Sequence, residues 1–310
     1  MDARVAVESR SNRGVEMNSY DLSIAYRIYP KVATAAIGLP FSGDKLKLSE
    51  ICLRSFKESL GNLRVKIWAL LDGCPEEYAR LFEKYFDAED LVLCRLHGVG
   101  NQATFGRQIE ILLAQEESDL VYFAEDDYVY LPNQFPLMLE FLRAHEDVHF
   151  VTPYDHLDCY TLRIHRHAKL LRVEGQHHWR TAASTCLTFL TRKQTLQKKC
   201  QVFHTYCAGN FDCSLWLSLT KQSIFNPIQF LGFAFRDLLF AKIITKAWLF
   251  GWRQILFGKT MRLWAPVPGI ATHLDHQALS PTLDWNALMK AYATEMDVHQ
   301  RHDMRFARQA

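Results

Sequence analysis

The stretch Leu120-Val121-Tyr122-Phe123-Ala124-Glu125-Asp126-Asp127-Tyr128 runs five apolar residues straight into three carboxylates. A short apolar run with β-branched and aromatic side chains reads as a strand buried on both faces. The acids stand just past its carboxyl end. Three adjacent carboxylates repel one another unless a cation sits among them. A hard divalent cation takes oxygen ligands and bridges to phosphates, so the triplet reads as a place to hold a diphosphate and to stabilise charge as it leaves. A solvated acidic turn is the plainer alternative.

On both sides of this stretch the pattern alternates strand and helix. Residues 32–39 form an apolar run ending at Pro40 and are expected as the first strand, with 1–31 as a mobile, polar N-terminal tail. Asp44 is placed to cap a helix carrying Leu48, Ile51, Cys52, Phe56 and Leu60, which Gly61-Asn62 stops. Strands are expected at 65–71, 91–96, 120–124 and 148–152, with helices near 75–86, 104–115 and 132–145 between them. Such alternation predicts an α/β domain with a mainly parallel central sheet flanked by helices. Ligands then bind at the carboxyl ends of the strands, where Asp72, the acidic triplet and Tyr154-Asp155-His156 all fall. The catalytic domain is expected over 32–224. An apolar, basic helical segment follows at 225–260, and a C-terminal segment at 261–310 returns to the site.

The chain has 310 residues, 49% apolar and 13% aromatic, with a formal charge of +2. That is enough for one large domain with a small appendage. There is no broad basic field and no nucleic-acid motif, so nucleic acid is not expected as a partner. The eight cysteines include no Cys-x-x-Cys pair, which points to free thiols in a reducing, cytoplasmic compartment. The N-terminus lacks the apolar core of a secretory signal.

Residues 225–257 carry Phe230, Phe233, Phe235, Trp248 and Trp252, among other apolar side chains. On a helix, Lys242, Lys246 and Arg253 would fall on one stripe. A basic stripe on a wide apolar body suits an interfacial helix at the inner face of a membrane. A core helix or a dimer contact is the alternative.

Taken together, the triplet and its flanks resemble the Asp-x-Asp motif of glycosyltransferases with the GT-A (nucleotide-diphospho-sugar transferase) fold. The resemblance extends to a bacterial, family-two-like subset and covers about residues 33–285. It implies a divalent metal, Mn²⁺ or Mg²⁺, and a nucleotide-diphospho-sugar donor. It also implies a glycan, glycolipid or lipid-linked acceptor. By this resemblance Asp127 is a metal ligand, Glu125 and Asp126 face the donor, and Asp72 contacts its nucleoside, although Asp72-Gly73 also reads as a plain turn. His273, in the late loop 266–276, would be the further ligand, with His276 its competitor.

Asp212, at a helix start, would be the base that deprotonates the acceptor and gives inversion; it also reads as a helix cap. Arg107, beside Asn101, would pair a phosphate or sit on the surface. Tyr154, Asp155, His156, His178, Trp179 and Arg180 are acceptor-side candidates, with the Trp face available to a sugar ring; ordinary core and loop roles remain open for them. A nucleotidyltransferase on a similar sheet would want a Gly-rich loop after the first strand. A membrane-associated scaffold without turnover is the non-enzymatic alternative.

Overall fold

The computed structural model describes residues 20–162, 165, 167–175, 177–225 and 238–307. Its central strand is not the expected one. β1 is Leu22–Ile28, inside the stretch assigned to the tail, whereas residues 32–39 form a loop with a short 3-10 turn at Thr34–Ala36. The reason lies in the alternation of Leu22, Ile24, Tyr26 and Ile28 with Ser23, Ala25 and Arg27. The first set packs among Phe56 and Phe82 on one side of the sheet, and Ala25 packs with Phe105 and Ile109 on the other. All seven residues are buried, yet Ser23 and Arg27 make the segment look polar. The run at 32–39 is apolar but rich in alanine, and Gly38 turns there at φ 98°.

From residue 45 to residue 151 the elements follow the expected order, with a strand at Tyr128–Tyr130 in addition. They are α1 (Lys45–Ser59), β2 (Val65–Asp72), α2 (Glu76–Tyr85), β3 (Leu91–Leu96), α3 (Asn101–Ala114), β4 (Leu120–Glu125), β5 (Tyr128–Tyr130), α4 (Phe135–Ala144) and β6 (Phe150–Val151). After them come α5 (Asp158–Thr161), β7 (Leu171–Glu174), β8 (His177–Ala182), β9 (Phe189–Arg192), α6 (Lys193–Cys207) and α7 (Asp212–Thr220). The chain ends with α8 (Leu238–Phe257), β10 (Leu263–Val267), β11 (Ala271–His273) and α9 (Trp285–Ala307). The end of β10 and all of β11 fall where a loop was expected. Asp44 caps α1 as expected, accepting the Lys47 amide at 3.0 Å.

The main sheet has nine strands in the order β3-β2-β1-β4-β9-β6-β10-β8-β7. Pairing is parallel from β3 to β4 and between β6 and β10, while β9 and β8 run against their neighbours. The mainly parallel α/β layer is therefore present. The C-terminal segment is more than an extension, because β10 lies inside the sheet between β6 and β8. α9 buries Trp285, Met289, Tyr292 and Met296 against Leu48 and Ile51 of α1. Part of the apolar segment at 225–257, with Phe230, Phe233 and Phe235, lies outside the described residues. No helix among the described residues is long and apolar enough to cross a membrane.

A second, two-stranded ribbon decides the site. β11 pairs antiparallel with β5, placing His273 opposite Tyr128. The Leu274 amide donates to the Asp127 carbonyl at 2.8 Å. Gly269 permits the turn between β10 and β11: a Cβ there would stand 2.2 Å from Ser280 Oγ and 3.0 Å from the Asp155 nitrogen.

Candidate active site

β1, β2 and β4 lead into a cavity of about 600 Å³ lined by Arg27, Tyr29, Lys31, Lys45, Asp72, Asn101 and the acidic triplet. Each carboxylate of the triplet has its own cation. Glu125 accepts from the Arg27 guanidinium and, at 2.8 Å, from the Thr188 hydroxyl. Asp126 pairs with Lys45 at 2.5 Å. Asp127 Oδ2 lies 3.1 Å from His273 Nε2. The mutual repulsion read from the sequence is thus relieved by the chain's own side chains.

Burial pushes the Asp126 carboxyl above the usual range, against the pull of Lys45. Burial also opposes ionisation of Asp127, but His273, Lys45 and Arg27 outweigh it and hold this carboxyl low. The His273 imidazole would be depressed by burial, yet the Asp127 charge and hydrogen bond raise it to about 9. At neutral pH the two form an ion pair.

His273 and not His276 meets the triplet; His276 turns to Ala35, whose carbonyl lies 3.0 Å from its Nδ1. Asp127 Oδ1 is buried without a hydrogen-bond partner. Among the described residues no group of three or more His, Cys, Asp or Glu side chains stands ready for a metal. Asp127 and His273 nevertheless fit two positions around a cation, since such ions keep waters and take substrate phosphates for the rest. A mixed carboxylate–imidazole pair suits Mn²⁺ better than Mg²⁺.

Asp212 is the first residue of α7, and Phe211 holds the capping position without a side-chain bond. The Asp212 carboxylate accepts from the Cys213 amide at 2.6 Å. Burial raises its pKa; the Cys213 bond lowers it, Glu125 raises it, and His273 and Arg27 lower it. Asp212 therefore stands within electrostatic reach of the triplet and of His273, with a carboxyl more basic than an exposed one.

Other expectations change. Asp72 lines the cavity, but its oxygens accept the Val99 amide at 2.7 Å and the Gly100 amide at 2.8 Å. It fastens a loop that Gly98 and Gly100 turn at φ 70° and 86°. Arg107 is absent from the cavity wall; it is exposed on α3 and pairs with Glu110 at 2.6 Å. The helix buries Thr104, Phe105, Gln108, Ile109 and Leu112, which leaves Arg107 on the opposite side. Arg27 and Lys45 are the cavity cations that pair with the triplet, and neither was singled out from sequence. Their signals were a lone arginine in an apolar alternation and a lysine just past a capping aspartate.

The acceptor-side set separates. The face of Trp179 is covered by Phe141, with rings 4.2 Å apart and nearly parallel at 6°, so it is core and no open platform. Arg180 and Asp155 form a buried ion pair, and the Tyr160 hydroxyl donates to Asp155 at 2.7 Å. This pair tethers β8 to the segment after β6 and leaves Asp155 facing a different, smaller cavity. His178 is exposed on β8. Tyr154 and His156 stay near the triplet: the Tyr154 ring is 6.3 Å from that of His273 and 4.7 Å from that of His156.

No family model and no curated protein matches the chain. Solved structures do show similarity. The galactosyltransferase LgtC, in complex with donor and acceptor sugar analogues, aligns at 12% identity and a TM-score of 0.44, over 88% of this chain and 95% of that one. TarS 1-349 of S. aureus aligns at 13% identity and a TM-score of 0.38, over 58% of this chain. The chain spans about half of that TarS structure, 49% of its length. The bifunctional glycosyltransferase WbbM aligns at 9% identity and a TM-score of 0.35, over 64% of this chain and 36% of that one. All three TM-scores lie below 0.5.

Proposed function

We propose that the chain is a glycosyltransferase. It would move a sugar from a nucleotide-diphosphate donor to a hydroxyl of a glycan, glycolipid or lipid-linked acceptor, with a divalent cation and with inversion. One observation carries the reading: Asp127 and His273, 146 residues apart, meet at the strand ends of an α/β sheet, next to a cavity of about 600 Å³.

Arg27, Lys31 and Lys45 supply positive charge along the cavity wall for a diphosphate. The cation would be held by Asp127 and His273, whose proton it must displace. Once bound, it adds charge stabilisation for the departing diphosphate. Asp212, half-buried and kept basic, accepts the proton of the attacking hydroxyl. Cytoplasmic action, with free thiols in a reducing compartment, completes the reading.

The test is a panel of nucleotide sugars scored by release of nucleoside diphosphate, alongside thermal shift with and without Mn²⁺. Asp127→Ala is expected to remove the metal-dependent shift and at least about 100-fold of turnover. Asp212→Asn should lower kcat about 100-fold or more while donor binding persists. A shift with nucleoside triphosphates alone would favour a nucleotidyltransferase. Product anomers read by NMR decide inversion: retention of configuration would remove the role given to Asp212.

A further inference from the structure

α8 has two unlike faces. Its inner side buries Phe240, Ile244, Ala247, Gly251 and Ile255. It is locked to α7, with Ser214 Oγ donating to the Ile243 carbonyl at 2.8 Å and Gly251 so close to Ser218 that a Cβ would stand 2.5 Å from the Ser218 Cβ. The outer side inverts the usual rule that a surface helix turns polar residues to water. Leu249 is 68% exposed and Phe257 79%, with Leu238, Trp252 and Leu256 also open. Positions 238, 242, 245, 249, 252 and 256 follow helical spacing along this face.

The charge on this face has one sign. Residues 238–274 contain no Asp or Glu. Lys246 is not part of the outward stripe expected from sequence, because its ammonium donates to the Gly209 carbonyl at 2.5 Å and covers the Phe211 ring at 3.7 Å. Arg262 pairs with Asp147. Lys242, Arg253 and Lys259 remain exposed. Arg253 lies 5.3 Å from the centre of the Trp252 ring, so cation and aromatic present together.

A second copy seated symmetrically on this face would bring like charges together. A lipid surface offers hydrocarbon to leucine and tryptophan and phosphate to lysine and arginine. We propose that the outer face of α8 docks on an anionic lipid bilayer, lying in its interface without crossing it. The helix is about 30 Å long. Lys246, on the flank of the helix, holds Gly209 and Phe211, the residues leading into Asp212, so docking brings the start of α7 near the lipid surface. The value of that placement for a lipid-borne acceptor rests on the proposed transferase; the docking does not.

The test is co-sedimentation of the full chain with vesicles of phosphatidylcholine alone or mixed with phosphatidylglycerol. Binding is expected on the mixed vesicles and should fall as salt rises. Leu249→Glu with Leu256→Glu, and separately Lys242→Glu with Arg253→Glu, should each lower the bound fraction about tenfold or more. Circular dichroism, melting temperature and donor hydrolysis in solution should stay unchanged. The emission lost in Trp252→Phe should be the component that shifts to the blue on mixed vesicles. Failure to bind either vesicle overturns the proposal, as does equal binding to both that survives the charge reversals. A concentration-dependent dimer that Leu249→Glu dissociates also overturns it and assigns the face to a second copy. Vesicle binding without any donor turnover would instead sink the transferase reading and leave the docking intact.

Discussion

Arg27 and Arg107 show how one residue type divides between site and surface. Arg27 is buried, pairs with Glu125 and donates to the Asn101 carbonyl at 3.0 Å. Removing one partner of a buried pair strands the other charge, at a cost of about 3 kcal/mol. Arg27→Met should therefore lower stability by that order in urea titration and weaken donor binding. Arg107→Met should stay within about 0.5 kcal/mol and leave donor affinity unchanged. From sequence Arg27 fell in the expected tail and Arg107 was offered to a phosphate, since which arginine faces the cavity depends on strand register and helix phase. His165 makes a different point. Burial pushes its imidazole down to about 3, so it is neutral in the fold. Its unfolded value is about 6.5. The folded state binds fewer protons, so its contribution is fully present above that value and is lost as pH falls from there towards about 3. At pH 5 the loss is about 2 kcal/mol. His165→Leu should flatten the decline of melting temperature between pH 7 and 5; an unchanged slope would assign the acid sensitivity elsewhere.

At the scale of elements, β2, β3, β4, α1 and α2 were legible because each combines one clear period with a stop signal, such as Gly61-Asn62 or Asp72-Gly73. β1 was not, because a strand buried on both faces can carry Arg27 when a partner from another element neutralises it. β5 and β11 were not legible as a pair either. Each has three residues, too few for a period, and their pairing is set by the backbone around Gly269. The late histidine was placed by resemblance; the ribbon that delivers it needed the structure. Gly269→Ala tests that ribbon. The added methyl meets Ser280 and the Asp155 backbone, so a cost of about 1–3 kcal/mol is expected. If β11 shifts with it, the Mn²⁺-dependent thermal shift should weaken beyond what the lower stability explains. A normal shift would separate the turn from the site.

Over the whole molecule, the expected division into a catalytic domain and a returning extension understates how the parts depend on each other. β10 fills the gap between β6 and β8 and carries the fully buried Leu263 and Trp264. α9 covers α1 from the far end of the sequence. Losing a buried tryptophan alone costs about 3–5 kcal/mol, against a total stability of about 5–15 kcal/mol for a typical domain. A chain ending at residue 260 should therefore lack a cooperative melting transition; a sharp one would show that the rest of the fold forms without the C-terminal segment. The short ribbon of β5 and β11 has a consequence in time. A loop spanning 146 residues must close before the imidazole reaches its carboxylate, at an entropic cost of about 4 kcal/mol. A chain still being synthesised can thus carry every residue that lines the cavity and still lack His273. On the proposed function, an unfinished polypeptide would be unable to squander activated sugar on water, and competence would arrive only with the closing stretch.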